Sequence, residues 1–191
     1  MEHRIILASS SPRRKELLTQ IGLSFTVYPA DVDESILEGE RPEAYASRLA
    51  LDKARAAAER AGDGIVIAAD TIVVVNGSVL GKPADATDAR RMLHLLSGKE
   101  HSVVTGLAVF DASTGRSIVR TSVTKVVFRD LSQREIDAYV ATGEPLDKAG
   151  AYGIQERGAL LVERIEGCYS NVVGLPLSLL GEMLREFGIL F

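Results

Sequence analysis

The feature that most constrains the fold is an apolar run of eleven residues, IVIAADTIVVV, at Ile65–Val75. Its β-branched residues and its lack of a polar face predict a long strand that is buried on both sides. Asn76-Gly77 follows directly and is a strong hairpin-turn signal, after which Val79-Leu80 resumes the strand pattern. The chain is therefore predicted to contain a sheet with at least one hairpin.

Strand and helix patterns alternate along the rest of the chain. The predicted strands are Arg4–Ala8, Ser24–Tyr28, Ser102–Phe110, Ser117–Phe128 and Ala159–Ile165. The predicted helices are Pro12–Ile21, Pro42–Ala61, Ala86–Leu96, a helix that Ser132 caps and that runs to about Ala141, and Pro176–Phe187. Helices mixed with strands, some of which form hairpins, predict an α/β fold with a mixed sheet.

Composition limits the class of protein. A chain of 191 residues with 46% hydrophobic and 25% charged residues is typical of one folded domain, 1–191, or of two small lobes that share a core. The net charge of −4 argues against broad nucleic-acid binding, so any basic site must be local. A single cysteine, Cys168, excludes an internal disulfide. The sequence shows no signal peptide and no apolar run near ~18 residues, so we expect a cytoplasmic protein without a membrane anchor.

The first predicted helix begins unusually, with ASSSPRRKELL at Ala8–Leu18. Ser11 is suited to cap this helix and Pro12 to occupy its first position. Arg13, Arg14 and Lys15 then place three cations at the positive end of the helix dipole, where each costs about 0.3–1 kcal/mol. Phosphate oxygens would compensate this cost, because arginine and a helix start both bind phosphate.

Asp70 lies inside the apolar strand Ile65–Val75. An ionised carboxylate in such surroundings is costly unless it is paired, hydrogen-bonded or bound to a metal. Asp70 could cap a loop from an exposed strand end. The alternative is a carboxylate that holds a metal or accepts a proton from water.

Three more charged residues lie on a loop, on a helix face and at the end of a hairpin. Glu34 belongs to an acidic loop, PADVDESILEGE, which by itself is typical of a solvated turn. Lys53 lies on a small apolar helix face, where lysine often extends its ammonium to solvent, and Lys82 directly follows the predicted hairpin. Together with Asp70 and the first-helix cations, these residues suit a polyphosphate with a divalent cation.

Other nucleotide and catalytic motifs are absent. ASSSPRRK has no glycine and no GK[ST] ending, so it is not a Walker A loop, and the chain has no Rossmann fingerprint. His3, His94 and His101 fall at a terminus, in a helix and at a strand start, and we interpret all three as structural.

The segment PLDKAGAYGIQERGA is rich in glycine. Tyr152 could offer a flat surface and Gln155 an amide that reads a base edge through paired hydrogen bonds. A plain surface loop is the alternative.

Several separated motifs, in order along essentially the whole chain, resemble the Maf-type nucleoside triphosphate pyrophosphatases. They are LASSSPRRKELL, DESI, LALDKARA, AADTIVV, LGKP, MLHLLSGKEHSVVTG, EPLDKAGAYGIQ and VVGLPLSLL. The resemblance implies hydrolysis between the α and β phosphates, which yields a nucleoside monophosphate and pyrophosphate, with a divalent cation such as Mg²⁺ or Mn²⁺. It also implies a two-lobed α/β fold around a long mixed sheet with flanking helices, related to inosine triphosphate pyrophosphatases, with the active site in the cleft.

The resemblance assigns roles position by position. It assigns phosphate binding to Ser11, Arg13, Arg14 and Lys15, and catalysis to Glu34, Lys53, Asp70 and Lys82. Glu34 and Asp70 would hold the metal, and Asp70 matches the proton acceptor. The run that ends in Gln155 is similar to the branch that acts on dTTP and UTP, in which Arg13, Thr71 and Gln155 are associated with substrate choice. Glu156 stands where that branch has a glycine.

Two other functions stay open at this level. One is a nucleotide-sensing regulator of cell division or septum formation that acts through a partner protein, although a pure binder has little use for a buried Asp70. The other is a house-cleaning enzyme for damaged purine nucleotides. The sequence does not decide whether the chain forms a homodimer.

Overall fold

The computed structural model describes residues 4–190. Seven strands form one sheet: β1 Ile5–Leu7, β2 Thr26–Val27, β3 Ile65–Val75, β4 Ser78–Leu80, β5 Glu100–Asp111, β6 Ser117–Phe128 and β7 Val162–Glu166. Six α-helices accompany it: α1 Pro12–Gln20, α2 Pro42–Ala61, α3 Ala86–Leu96, α4 Gln133–Val140, α5 Tyr169–Val173 and α6 Leu177–Glu186. The predicted mixed α/β fold is confirmed.

The sheet has the strand order β2-β1-β3-β5-β6-β7, with β4 paired to β3 outside this path. β1 is parallel to both β2 and β3, and Ile6 lies opposite Thr26 on one side and Val66 on the other. β4 is antiparallel to β3, as the Asn-Gly turn predicts, and β7 is antiparallel to β6. The long apolar run therefore forms a strand with neighbours along both edges. Nine of its eleven residues are buried, so both of its faces are covered, as predicted.

Four local features differ from the sequence prediction. β2 covers only Thr26–Val27 of the predicted Ser24–Tyr28. The last strand begins at Val162 rather than Ala159, because Glu156–Leu160 forms a 3-10 helix. The segment before it is not irregular throughout, since Glu144–Asp147 and Ala149–Ala151 are also short 3-10 helices. The short helix α5 was not predicted.

The chain divides into two compact units. The first unit comprises residues 4–70, 105–122 and 174–190, and the second comprises Thr71–Val104 and Val123–Val173. No helix within residues 4–190 has both the length and the apolar character that a bilayer crossing requires.

Small residues bring α2 close to the sheet in the first unit. Its alanines pack in one buried cluster with residues of β1, β3 and β5: Ile6, Ala8, Ala50, Ala54, Ala57, Ala58, Val66, Ala68 and Ala108. Gly106 on β5 lies so near α2 that a Cβ at this position would be 2.1 Å from the carbonyl oxygen of Ala46. Only glycine fits such an approach. As a result, a side chain on α2 can reach the middle of β3.

The second unit has its own core. It is formed by the hairpin end of β3 and by α3 and α4. The rings of His101, Phe128 and Tyr152 also pack against one another there. α4 starts with a full capping box, in which Ser132 and Glu135 each accept a backbone hydrogen bond at the helix start. The prediction that Ser132 caps this helix is confirmed.

Candidate functional site

Lys53 on α2 holds two carboxylates in the first unit. Its Nζ lies 2.7 Å from Glu34 Oε1 and 2.6 Å from Asp70 Oδ1. The side chains of Lys53 and Asp70 are each only 12% exposed, whereas that of Glu34 is 59% exposed. Asp70 therefore lies buried within β3 and is paired, and the alternative of an exposed strand end is wrong. The interpretation of Lys53 as a lysine that extends to solvent is also wrong, since its ammonium binds both carboxylates.

Arg14 in the first turn of α1 is fixed by two acceptors. Its Nε donates to the carbonyl oxygen of Gly174 at 2.8 Å, and its Nη1 donates to Ser9 Oγ at 3.2 Å. Burial lowers the pKa of Arg14, and the charges of Asp70 and Glu34 oppose that shift. The Arg14 guanidinium is therefore close enough to Asp70 and Glu34, the two carboxylates that Lys53 binds, to interact with them electrostatically.

The start of α1 is organised by Ser9 rather than by the predicted cap. Ser11 occupies the predicted N-cap position and Pro12 begins the helix, but the Ser11 side chain makes no capping hydrogen bond. Ser9 Oγ instead accepts from the backbone N–H of Ser11 at 3.2 Å and from Arg14. Ser9 is 8% exposed and is a candidate site residue that the sequence analysis missed. A polar residue two positions after the buried strand β1 could have signalled it.

The remaining first-turn residues stay at the same helix end. Arg13 and Lys15 are half-buried, and α1 has no acidic residue in its first turn. The Lys15 ammonium has no ion-pair partner among residues 4–190. The predicted group of basic residues is therefore present at this helix start, with no acidic residue in the first turn of α1.

Two side chains of α2 hold the acidic loop that carries Glu34. Tyr45 donates its hydroxyl hydrogen to the backbone carbonyl of Glu34 at 2.7 Å. Arg48 binds both carboxylate oxygens of Glu40 at 2.7 Å and also donates to the carbonyl of Ser35 at 2.9 Å. Glu34 is thus exposed as a side chain but fixed through its backbone. The sequence analysis gave Tyr45 no such role.

The carboxylates of Glu34 and Asp70 fit Mg²⁺ or Mn²⁺ only in combination with further oxygen ligands. Lys53 uses one oxygen of each carboxylate, Glu34 Oε1 and Asp70 Oδ1. No group of three or more histidine, cysteine or acidic residues within residues 4–190 could hold a metal alone. Mg²⁺ commonly binds one or two carboxylates together with water and substrate phosphates, so this pair of carboxylates suits a cation that arrives with a phosphate ligand.

Three predicted site residues belong to the second unit. Thr71 is half-buried on β3, and Lys82 is exposed just beyond β4. Gln155 is half-buried and occupies the N-cap position of the 3-10 helix Glu156–Leu160. The side chains of Lys82 and Gln155 have no hydrogen-bond or ion-pair partner among residues 4–190, which leaves both groups available to a ligand.

Tyr152 does not offer the flat surface that the sequence predicts. It is 5% exposed, and its ring packs edge-on against Phe128 and His101. Its hydroxyl lies 2.8 Å from His101 Nε2. Burial raises the pKa of Tyr152 and lowers that of His101 to about 4, so both groups are neutral at pH 7. Tyr152 and His101 are core residues, and His3 lies outside the described residues.

Comparison with known proteins identifies the family to which this chain belongs. The family model of Maf-like proteins matches residues 4–187. The chain therefore belongs to the Maf family, as the resemblance implies.

Relatives extend over nearly the full length of the chain. It is 55% identical over 186 residues to a protein of Moorella thermoacetica named dTTP/UTP pyrophosphatase, which covers 97% of this chain and 96% of the relative. A Geobacter sulfurreducens protein of the same name is 53% identical over 187 residues, with 98% of each chain covered. Among solved structures, a HAM1 protein from Coxiella burnetii has a TM-score of 0.57 at 18% identity and covers 97% of this chain and 100% of its own, which supports the fold alone.

Proposed function

We propose that this protein is a nucleoside triphosphate pyrophosphatase that hydrolyses dTTP and UTP to the nucleoside monophosphate and pyrophosphate. The observation that carries the proposal is the placement of Lys53 between Glu34 and Asp70, because it gathers charged groups suited to phosphate chemistry around a buried ammonium in the first unit. The names of the relatives at 53–55% identity support the same substrates.

Glu34 and Asp70 would hold a divalent cation, Mg²⁺ or Mn²⁺, which supplies positive charge to the triphosphate when it is bound. Asp70 would accept a proton from the attacking water at its carboxylate. The water oxygen bonds to the α-phosphorus while the bond from that phosphorus to the bridging oxygen breaks, and pyrophosphate leaves. Burial and the salt bridge to Lys53 fix the Asp70 carboxylate at one place before substrate arrives.

Cations of the chain would neutralise the triphosphate and the leaving pyrophosphate. We assign this role to Arg13, Arg14, Lys15, Lys53 and Lys82, and we assign phosphate contact at the helix start to Ser11. Arg14 is already held by Gly174 and Ser9, so it needs little reorganisation when substrate binds.

Gln155 would read the pyrimidine. Its amide can donate to O4 and accept from N3–H of uracil or thymine, a pairing that cytosine does not present in the same order. Thr71 and Arg13 would contribute to the same choice of substrate. The alternative, a nucleotide-sensing regulator without catalysis, is not favoured, because a binder does not require a buried carboxylate paired to Lys53.

The reaction is tested with a panel of dTTP, UTP, CTP and purine triphosphates in Mg²⁺ or Mn²⁺, carried out in ¹⁸O-labelled water. We expect pyrophosphate from dTTP and UTP, label in the monophosphate only, and loss of turnover on removal of the metal with a chelator. Asp70→Asn should lower kcat by about 10²–10⁴-fold with its thermal transition retained.

Three results would contradict parts of this proposal. Orthophosphate with a nucleoside diphosphate would place the cleavage elsewhere. Release mainly from purine triphosphates would remove the role of Gln155, and tight binding without any release would favour the regulator.

A further inference from the structure

The segment that carries Gln155, residues 153–158, is bound at both ends by two side chains. Tyr139 on α4 accepts a hydrogen bond from the backbone N–H of Gly153 at 3.3 Å. Glu144 Oε1 accepts one from the backbone N–H of Gly158 at 3.2 Å. Tyr139 donates its hydroxyl hydrogen to the same Glu144 oxygen at 2.9 Å, so the two ends are joined through one pair of side chains.

Both members of the pair are held in place by other contacts. Tyr139 is 5% exposed within the core of the second unit, and burial raises its pKa, which keeps the phenol protonated as a donor. The backbone N–H of Glu144 donates to Thr142 Oγ1 at 3.1 Å, and its carbonyl accepts from Lys148 Nζ at 2.6 Å. The pair is therefore a fixed support and not a flexible surface contact.

The segment itself is strained and close-packed. A Cβ at Gly158 would lie 1.9 Å from the carbonyl oxygen of Gly153 and 2.8 Å from the hydroxyl of Tyr139, so the ends can approach only because residue 158 is glycine. Glu156 has a φ of +54°, in the left-handed region that disfavours L side chains. Such a conformation persists where surrounding contacts determine the backbone.

We infer that Tyr139 and Glu144 are positioning residues that set base selectivity, because they fix the segment that carries Gln155. We call this pair the Tyr139–Glu144 clasp. Neither residue touches the substrate in this account. The inference rests on the proposed function, since it assigns the clasp a role through Gln155. Its physical basis is that discrimination between pyrimidines by a single amide requires that amide to be held within a fraction of an ångström.

The test compares variants that remove or keep the shared bonds. Tyr139→Phe removes the hydroxyl, Glu144→Ala removes the acceptor, and Glu144→Gln keeps an acceptor oxygen at the same place. Tyr169→Phe is the matched control, since it removes the same atom from a tyrosine that is 50% exposed. For each variant, kcat/KM is measured on dTTP and on CTP, and amide hydrogen exchange is measured at Gly153 and Gly158.

We expect Tyr139→Phe and Glu144→Ala to lower kcat/KM for dTTP about tenfold, mainly through KM, the equivalent of one hydrogen bond. The value for CTP should change little, and exchange at both glycine amides should accelerate. Glu144→Gln should restore most of the dTTP value, and Tyr169→Phe should equal the wild type. In a Gln155→Ala background, Tyr139→Phe should have no further effect on the ratio of dTTP to CTP.

An equal loss on dTTP and CTP, or a full additional loss in the Gln155→Ala background, would overturn the role in selectivity. Unchanged exchange at Gly153 and Gly158 would overturn the clasp itself. Absence of pyrophosphate from every substrate with the wild-type protein would refute the proposed function instead, and the exchange rates would still decide whether the pair holds the segment.

Discussion

The two units differ in the polar cluster that each buries. The first unit holds a charged cluster, in which Lys53 binds Asp70 and Glu34 and Arg14 interacts electrostatically with both carboxylates. The core of the second unit holds two phenols and His101 that are neutral at pH 7, since burial raises the pKa of the phenols and lowers that of His101 to about 4. Paired charges suit phosphate and metal chemistry. Under the proposed function, the first unit carries the reaction, and the segment with Gln155 in the second unit carries selectivity.

The largest effect on stability is expected from Lys53→Met. The substitution leaves the Asp70 carboxylate buried without its direct partner, and breaking a buried pair commonly costs several kcal/mol. We expect the free energy of unfolding in urea to fall by about 3 kcal/mol.

Arg120→Met provides the control for this prediction. Arg120 and Glu186 form an ion pair in the first unit with side chains 39% and 41% exposed, and such pairs are worth about 1 kcal/mol or less. Equal losses for Lys53→Met and Arg120→Met would show that the first unit does not depend on its buried charges.

A smaller effect is expected from His101 at acid pH. The pKa of His101 is about 4 in the folded protein and about 6.5 when unfolded, so the unfolded state binds a proton first as the pH falls. The stability that comes from burying a neutral His101 is complete above pH ~6.5 and is lost as the pH falls toward ~4. Between pH 7 and pH 4.5, we expect the free energy of unfolding of the wild type to fall by about 2 kcal/mol more than that of His101→Gln. A difference that stays constant with pH would contradict the neutral core of the second unit.

The smallest effect concerns Glu156→Gly, which restores the glycine that the resemblance places there. Glycine adopts a φ of +54° without strain, although it loses more backbone entropy on folding than other residues do. We therefore expect the free energy of unfolding, measured by chemical denaturation, to rise by about 0.5–1 kcal/mol. Asn76→Gly is the matched comparison at φ +50°, where asparagine is already tolerated, and it should gain less. A loss of stability in Glu156→Gly would show that the Glu156 side chain supports the segment.

Local sequence patterns predict most of the fold because its elements are strongly marked. β3 follows from a continuous apolar run, the β3–β4 hairpin from Asn76-Gly77, and α4 from the cap at Ser132. The 3-10 helices lie in glycine-rich sequence that has no helix or strand periodicity. Gly153 and Gly158 are bound there by Tyr139 and Glu144, and no local pattern encodes these contacts.

The site is predicted in its residue types but not in its contacts. A carboxylate in the apolar run marked Asp70, whereas the reach of Lys53 to it depends on how closely the alanines of α2 pack on the sheet. Tyr152 was misjudged because a tyrosine in a loop sequence gives no sign that its ring packs with Phe128 and His101. Ser9 and Ser11 are adjacent to the same helix start, and only the fold decides which hydroxyl is used.

The division of labour is tested most directly by kcat/KM on dTTP and on CTP for wild type, Asp70→Asn and Gln155→Glu. We expect Asp70→Asn to lower both kcat/KM values by the same factor and to leave their ratio unchanged. Gln155→Glu should lower the ratio of dTTP to CTP by at least about tenfold, because the carboxylate repels O4 of thymine and accepts from the amino group of cytosine. A changed ratio in Asp70→Asn, or equal losses on both substrates in Gln155→Glu, would contradict it.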